Sequence, residues 1–286
     1  MAHPPELPLP LVRAAIAAAL AEDLGRAGDV TAAAVLAPDA RAEAAMAARE
    51  AGVIAGQALA AEAFAAVGDV IYTPLVPDGT EVAPGAEIAR IAGRARPLMA
   101  GERVALNFLC HLSGIASETA RFVAAVRGTG ARIACTRKTT PGLRAFEKYA
   151  VRAGGGINHR FGLDDAILIK DNHIAVAGGV APALEAAFAA AGHLTPVEIE
   201  VDTLAQLEEA LAAGARIVLL DNMDPATLRE AVALTAGRAT LEASGGVTLE
   251  RVREIAETGV DVISSSRLTM GARPLDIGLD IRLEAP

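Results

Sequence analysis

The chain has 286 residues, 52% hydrophobic and 3% aromatic, with no tryptophan and a formal charge of −9. That length suits one or two domains with a sizeable core. An acidic pI near 5.1 and few stacking rings exclude a nucleic-acid groove, which needs basic stripes and aromatic platforms. Mean hydropathy is +0.37, yet no charge-free apolar run reaches the roughly 18–20 residues of a membrane span. The opening segment lacks a basic leader and Arg13 interrupts its apolar part, a poor fit to a signal peptide. Cys110 and Cys135 form no disulfide framework, so both read as small core residues in a reducing cytoplasm.

In chain order, helical periodicity covers Leu11–Ala21 and Ala58–Ala66, and strand-like runs cover Ala42–Ala48, Val70–Leu75 and Glu87–Ile91. These predict a small N-terminal α+β domain over 1–115. The stretch Asp78–Gly93 resembles the Gly-turn hairpins of biotinyl and lipoyl carriers, but those present a lysine and this region has none; it reads as structural. Glu102–Ser117 reads as a long helix with an apolar face. Strands are then expected at Arg132–Thr136, Ala166–Lys170, Val197–Val201, Arg216–Asp221, Thr240–Ser244 and Val260–Ser264. Helices are expected between them at Leu143–Ala153, Val180–Ala191, Leu204–Ala213, Pro225–Thr235 and Leu249–Thr258. This alternation predicts a second, α/β domain over 116–273 with a parallel sheet. The segment from Pro274, within 274–286, is expected to return as a strand of the first domain.

The expected strands end at Lys170, Glu200, Asp221, Ser244 and Ser264, at spacings of 30, 21, 23 and 20 residues, about one βα unit each. In a (β/α) barrel such ends converge on the face that carries catalysis. Charge is also localised. From Arg132 to Arg160 seven Lys/Arg residues face one acid, Glu147, so this stretch is +6 and the remainder −15. All three lysines of the chain, Lys138, Lys148 and Lys170, lie in or just after it. An island this short, interleaved with Gly and Thr, suits a small polyanion. Arg144, Lys148 and Arg152 recur every four residues and read as a solvated or interface face of a helix.

The stretch TRKTTPGLRAFEKYAVRAGGGINHRFGLDDAILIKDNHI closely resembles the quinolinate phosphoribosyltransferase family. So do ALAEDLGRAGDVT, GVIAG, GERVALNFL, EIEVDTLAQLEEAL, VLLDNMDP, LEASGGVTLE and TGVDVIS. The resemblance implies an α+β sandwich domain beside an incomplete (β/α) barrel, in homodimers or larger homo-oligomers whose sites are shared between subunits. It implies that quinolinate and phosphoribosyl pyrophosphate, with Mg2+ and no organic cofactor, give nicotinate mononucleotide, pyrophosphate and CO2 in NAD biosynthesis.

The resemblance assigns the two carboxylates of quinolinate to Arg137 and Arg160, with Arg103 reaching in from a neighbouring subunit and Thr136, Lys138 and His159 nearby. Guanidinium groups suit this because each binds a carboxylate through two parallel charge-assisted hydrogen bonds. Lys138 and Lys170 are expected at pyrophosphate oxygens as mobile point charges, and Glu200 and Asp221 at either the ribose hydroxyls or Mg2+. Ser244, Gly245 and Gly246 form a turn before a helix, where backbone N–H groups can meet a phosphate. His173 either orients Lys170 or is structural. His3, His111 and His193 have no cluster around them, and no histidine pair has metal-site spacing.

One segment departs from the family pattern. Ser264-Ser265-Ser266-Arg267 stands where a Gly-containing phosphate loop is usual. A Cβ at Ser266 would block close approach or demand strained backbone, and Arg267 either replaces the lost phosphate contact or points outward. Two rival activities are a Schiff-base aldolase using Lys170 and a non-catalytic binder. A third, the molybdenum-locus relatives of this family, differs at the TPGLR, NHR and KDNH segments, all present here.

Overall fold

The computed structural model describes residues 6–282; His3 and residues 283–286 of the returning segment lie outside them. Helix α1 (Leu9–Leu24) buries Val12, Ile16 and Leu20, one stripe at four-residue spacing. Helix α2 (Val30–Val35) starts where Asp29 accepts the Ala32 amide at 2.9 Å. Strands β1 (Arg41–Ala48) and β2 (Gly52–Val53), helix α3 (Gln57–Val67), strands β3 (Val70–Pro74), β4 (Glu81–Val82) and β5 (Glu87–Arg94) and helix α4 (Ala95–Ala125) follow. Asp78 accepts the Gly56 and Gln57 amides at 3.0 and 3.2 Å, satisfying orphan donors at the start of α3. The 78–93 hairpin thus has a structural task.

The alternating part runs β6 (Arg132–Ala134), α5 (Arg144–Ala153), β7 (Ile167–Ile169), α6 (Asp171–Ala177), α7 (Val180–Ala190), β8 (Val197–Val201) and α8 (Leu204–Ala212). It continues with β9 (Ile217–Asp221), α9 (Pro225–Thr235), β10 (Thr240–Ser244), α10 (Val252–Ala256), β11 (Val262–Ser264) and α11 (Arg267–Met270), before the last strand β12 (Ile277–Arg282). Pro225 opens α9, with the Asp224 carboxylate accepting the Thr227 amide at 2.8 Å. Six parallel strands form one sheet, in the order β6-β11-β10-β9-β8-β7. Its first and last strands are not paired to each other, so the barrel is incomplete. A separate antiparallel sheet has the order β12-β1-β5-β3.

By contacts the chain divides into two units. The first holds residues up to 118, 146–155 and those from 272 on; the second holds 119–145 and 156–271. Most of α5 therefore groups with the first unit rather than with the barrel residues flanking it in sequence. Of the solvated or interface face expected on α5, the solvated alternative fails at Lys148, while Arg144 and Arg152 are half-buried. Lys148 is 2% exposed and Glu147 fully buried, and Glu147 Oε1 lies 2.9 Å from His111 Nε2. Charges taken out of water need such partners, so His111 has a neighbour the sequence did not reveal. Cys135 is buried as expected but Cys110 only half so. No single described helix is long and apolar enough to cross a membrane; α6 and α7 meet that test only as a pair bent by 95°.

Within the first unit, small residues of α4 permit close approach. Ser113 and Ser117 accept the amides of Ala55 and Val53 at 3.0 and 2.8 Å, and a Cβ on Gly114 would lie 2.1 Å from the Arg273 carbonyl oxygen. Helix propensity alone would favour alanine over glycine by about 1 kcal/mol. The collision is with backbone, and overpacking costs about 1–3 kcal/mol, so the clash wins. Gly114→Ala should lower the urea midpoint of unfolding; an unchanged or higher midpoint would show that this backbone approach is not constrained.

Candidate active site

Parallel pairing brings the C-terminal ends of all six strands to one edge of the second unit. There they line a cavity of about 720 Å³, within the usual range for small-molecule sites. Strand parity decides which side chains enter it. Leu168 and Lys170, Leu219 and Asp221, and Glu242 and Ser244 line it in pairs two residues apart, while Ile169, Leu220 and Ala243 between them are buried. Of the site residues expected from the sequence, Thr136, Arg137, Lys138, His159, Arg160, Lys170, Glu200, Asp221, Ser244, Gly245, Gly246, Ser264, Ser265, Ser266 and Arg267 all line this cavity. Arg103 does not; it sits on α4 in the first unit.

One wall is cationic. Burial, followed by the charge of Arg137, holds the Arg160 guanidinium below its ordinary pKa. Both Arg137 and Arg160 keep a buried Nε–H that has no hydrogen-bond partner among the described residues. Two like charges with unspent buried donors form an arrangement that an anion completes. The loop that carries them is braced: Thr269 Oγ1 donates to the Lys138 carbonyl at 2.7 Å. Arg144 reaches Thr139 Oγ1 at 3.0 Å and the carbonyl of Phe161 at 3.2 Å, so Arg144 supports the site from behind.

The rest of the lining mixes signs. Lys170 Nζ donates to Glu200 Oε2 at 2.6 Å. An ammonium held in an ion pair is poorly placed to serve as the free amine of a Schiff base. His173 Nδ1 accepts the Lys170 amide at 2.9 Å, anchoring the start of α6. Burial, then Asp202, raises the pKa of Asp221, while Lys170, a hydrogen bond from Asn222 and Lys138 oppose this. Asn222, a lining residue absent from the sequence expectations, adopts φ of 53° and donates to Asp221 Oδ2 at 2.6 Å. Gly245 has φ of 88°, and a Cβ there would fall 2.1 Å from Asn222 Oδ1. Glycine is therefore required at this turn.

The Ser264–Arg267 segment differs from expectation in a simple way. Ser266 lies at φ −74°, ψ −13° and leads into α11, so its Cβ brings no backbone strain. Arg267 is an exposed member of the cavity rim.

Glu198 and Glu242, not among the residues expected from the strand ends, lie two residues before Glu200 and Ser244 on the same strand faces. They are 8% and 6% exposed. His159 Nε2 lies 3.0 Å from Glu198 Oε2 and 3.7 Å from Glu242 Oε1. The ligand atoms of these three residues fall within 4.8 Å of one another, close enough to hold a metal ion. Burial, then the Glu198 charge, pushes Glu242 up to about 7, against the opposing effects of His159 and a hydrogen bond with Ser264. A carboxyl raised in the fold binds its proton there more tightly than in the unfolded chain, so stability falls as pH rises from about 4.5 to about 7. Glu242→Gln removes that loss. It should melt at least about 2 °C above the unmodified chain at pH 8, each 1 kcal/mol being worth roughly 2–4 °C at this size. The advantage should vanish by pH 5, and a gap that does not change with pH would refute the raised carboxyl.

Two family models match the chain: the quinolinate phosphoribosyl transferase N-terminal domain over residues 29–113 and its C-terminal domain over 115–280. The nicotinate-nucleotide pyrophosphorylase [carboxylating] of Mycobacterium leprae is 46% identical, over 94% of this chain and 96% of that protein. A probable nicotinate-nucleotide pyrophosphorylase [carboxylating] of Bacillus subtilis is 44% identical, over 92% and 90%. Among solved structures, the nicotinate-nucleotide pyrophosphorylase from Francisella tularensis superposes with a TM-score of 0.94 at 37% identity, covering 99% of this chain and 100% of that one. With both halves matched and identity this high across nearly the whole length, the chain belongs to the quinolinate phosphoribosyl transferase family.

Proposed function

We propose that this protein transfers the phosphoribosyl group of phosphoribosyl pyrophosphate to quinolinate and decarboxylates the product, giving nicotinate mononucleotide, pyrophosphate and CO2 for NAD synthesis. The observation that carries this reading is the pair of adjacent guanidinium groups, Arg137 and Arg160, with unpaired buried donors in one cavity. Quinolinate brings two adjacent carboxylates, the charge and planarity that such a pair lacks. Names of the relatives support the reading: carboxylating pyrophosphorylases in bacteria and a quinolinate phosphoribosyltransferase [decarboxylating] in Nicotiana tabacum.

In this reading Arg137 and Arg160 orient the dianion, with Lys138, His159 and Thr136 beside them. Lys170 and Lys138 face the departing pyrophosphate, and the Lys170–Glu200 contact sets the reach of that ammonium. Asp221 and Glu200 lie where ribose hydroxyls would bind. The Ser244-Gly245-Gly246 turn and the Ser264–Arg267 segment offer backbone and hydroxyl donors to the 5′-phosphate, Arg267 adding charge from the rim. The pyridine nitrogen displaces pyrophosphate at the anomeric carbon. The resulting pyridinium then stabilises the electron pair left on the ring carbon as the neighbouring carboxylate departs as CO2, and that carbon takes up a proton from water. No covalent nucleophile is needed. Positioning alone supplies roughly 7–11 kcal/mol in favourable cases, and fixed charges act where charge develops.

The oxygen donors of Asp221 and Glu200 suit Mg2+, which binds through one or two carboxylates and substrate phosphates. Glu200 is already paired with Lys170, which leaves Asp221 as the better holder. Bound there, Mg2+ would neutralise pyrophosphate charge. We further place the enzyme in the cytoplasm, as a homodimer or larger homo-oligomer in which Arg103 of one subunit completes the site of another.

The test is incubation with both substrates and Mg2+, following CO2 and nicotinate mononucleotide; nicotinate in place of quinolinate should give no product. Arg137→Ala should abolish measurable quinolinate binding in calorimetry while changing affinity for phosphoribosyl pyrophosphate less than about threefold, its site lying on other side chains. Unchanged quinolinate affinity in that variant would sink the assignment.

A further inference from the structure

We infer that His159 is a positioning residue and not a ligand of the substrate: with Glu198 it forms a buried brace that sets the place of Arg160. Both ring nitrogens are already committed. Nδ1 accepts the Arg160 amide at 2.7 Å, so that nitrogen carries no proton. The remaining proton of the neutral ring is then on Nε2, which lies 3.0 Å from Glu198 Oε2. The hydrogen-bond network thus fixes one tautomer, and the ring has no polar atom left for a carboxylate. The same proton stands between His159 and the two glutamates, where a metal ion would otherwise sit.

The brace has a firm base and one moving end. Glu198 lies within β8, whose flanking residues Val197 and Ile199 pair with β7 and β9, and its side chain is nine-tenths buried. His159 is as buried, on an irregular stretch between the isolated bridge at Ile157 and β7. Arg160 is further tied by one guanidinium nitrogen to the Ala166 carbonyl at 3.0 Å. The backbone contact through His159 and this side-chain contact hold Arg160 at two points, while its buried Nε–H stays unpaired. An arginine held from behind, with a donor unspent, is pre-organised for a planar anion; without the brace its own repulsion from Arg137 would drive it away.

This inference rests on quinolinate being the substrate. The test is a double-mutant cycle read by calorimetry with quinolinate, using the unmodified protein, His159→Ala, Arg160→Ala and the double variant. His159→Ala should weaken quinolinate binding by roughly 10- to 100-fold, as loss of a supporting contact does elsewhere. Affinity for phosphoribosyl pyrophosphate should stay within about twofold, the scatter of independent sites. The double variant should bind no worse than Arg160→Ala; losses that multiply would mean that His159 touches the substrate itself and would overturn the brace. Because His159→Ala leaves a buried carboxylate without its partner, a second pair keeps the test sound. Glu198→Gln still offers an oxygen to Nε2–H and should recover most of the affinity lost in Glu198→Leu, whereas equal losses in both overturn the proposal. Absence of quinolinate binding by the unmodified chain overturns both readings together, while multiplicative losses in a chain that binds it overturn only this one.

Discussion

Two guanidinium groups so close that the charge of Arg137 helps to lower the pKa of Arg160 do not collect in a folded protein without cause. Arg137 and Arg160 repel, are partly desolvated, and each keeps a buried Nε–H without an acceptor among the described residues. The surrounding structure tolerates that cost by restraint: Arg144 and Thr269 brace one loop, and His159 and Ala166 hold the other. A small dianion reverses the balance, since it turns repulsion into two bidentate contacts and satisfies the idle donors. The parallel sheet supplies the frame by delivering strand ends to a single edge, where acids and a lysine line the same cavity as the arginines.

The regular parts of the barrel were legible because their signals are local. β8 and β10 match their expected ranges residue for residue, and so does α9, where Asp224 and Pro225 mark the start. The short helices α2 and α11 escaped notice, as six and four residues are too few to display a period. The α10 helix is shorter than expected, Val252–Ala256 against Leu249–Thr258, because helix ends are set by tertiary context as much as by propensity.

The site was read through its strand ends, and its omissions share a cause. Glu198 and Glu242 were visible in principle, since a strand repeats its face every second residue; a polar residue two positions before Glu200 or Ser244 must share that residue's side of the sheet. Asn222 could not be read in the same way, because it lies one residue beyond the end of β9, in left-handed backbone that breaks the strand alternation. Spacing also misled. Arg144, Lys148 and Arg152 repeat as a solvated or interface face would, but Lys148 is buried, Arg144 and Arg152 are half-buried, and the neighbouring Glu147 is met by His111, distant in sequence. At Ser266, of the two costs expected of a Cβ in place of glycine, strained backbone does not arise, since serine here sits in ordinary helical backbone.

Strand β12 pairs with β1 over six consecutive residues, from Glu43 with Arg282 to Ala48 with Ile277. More than 200 residues of chain, including the whole parallel sheet, separate the two. During synthesis from the N-terminus, β1, β5 and β3 can pair early, but one edge of β1 must wait unpaired until the barrel segment has left the ribosome. Closing so long a loop is only modestly dearer in entropy than closing a short one, but it is slow. The exposed edge is open meanwhile to mispairing with other chains. For this protein, vectorial folding makes β12 the last strand to join, so the N-terminal sheet, begun first, is finished only after the residues of the parallel sheet have emerged.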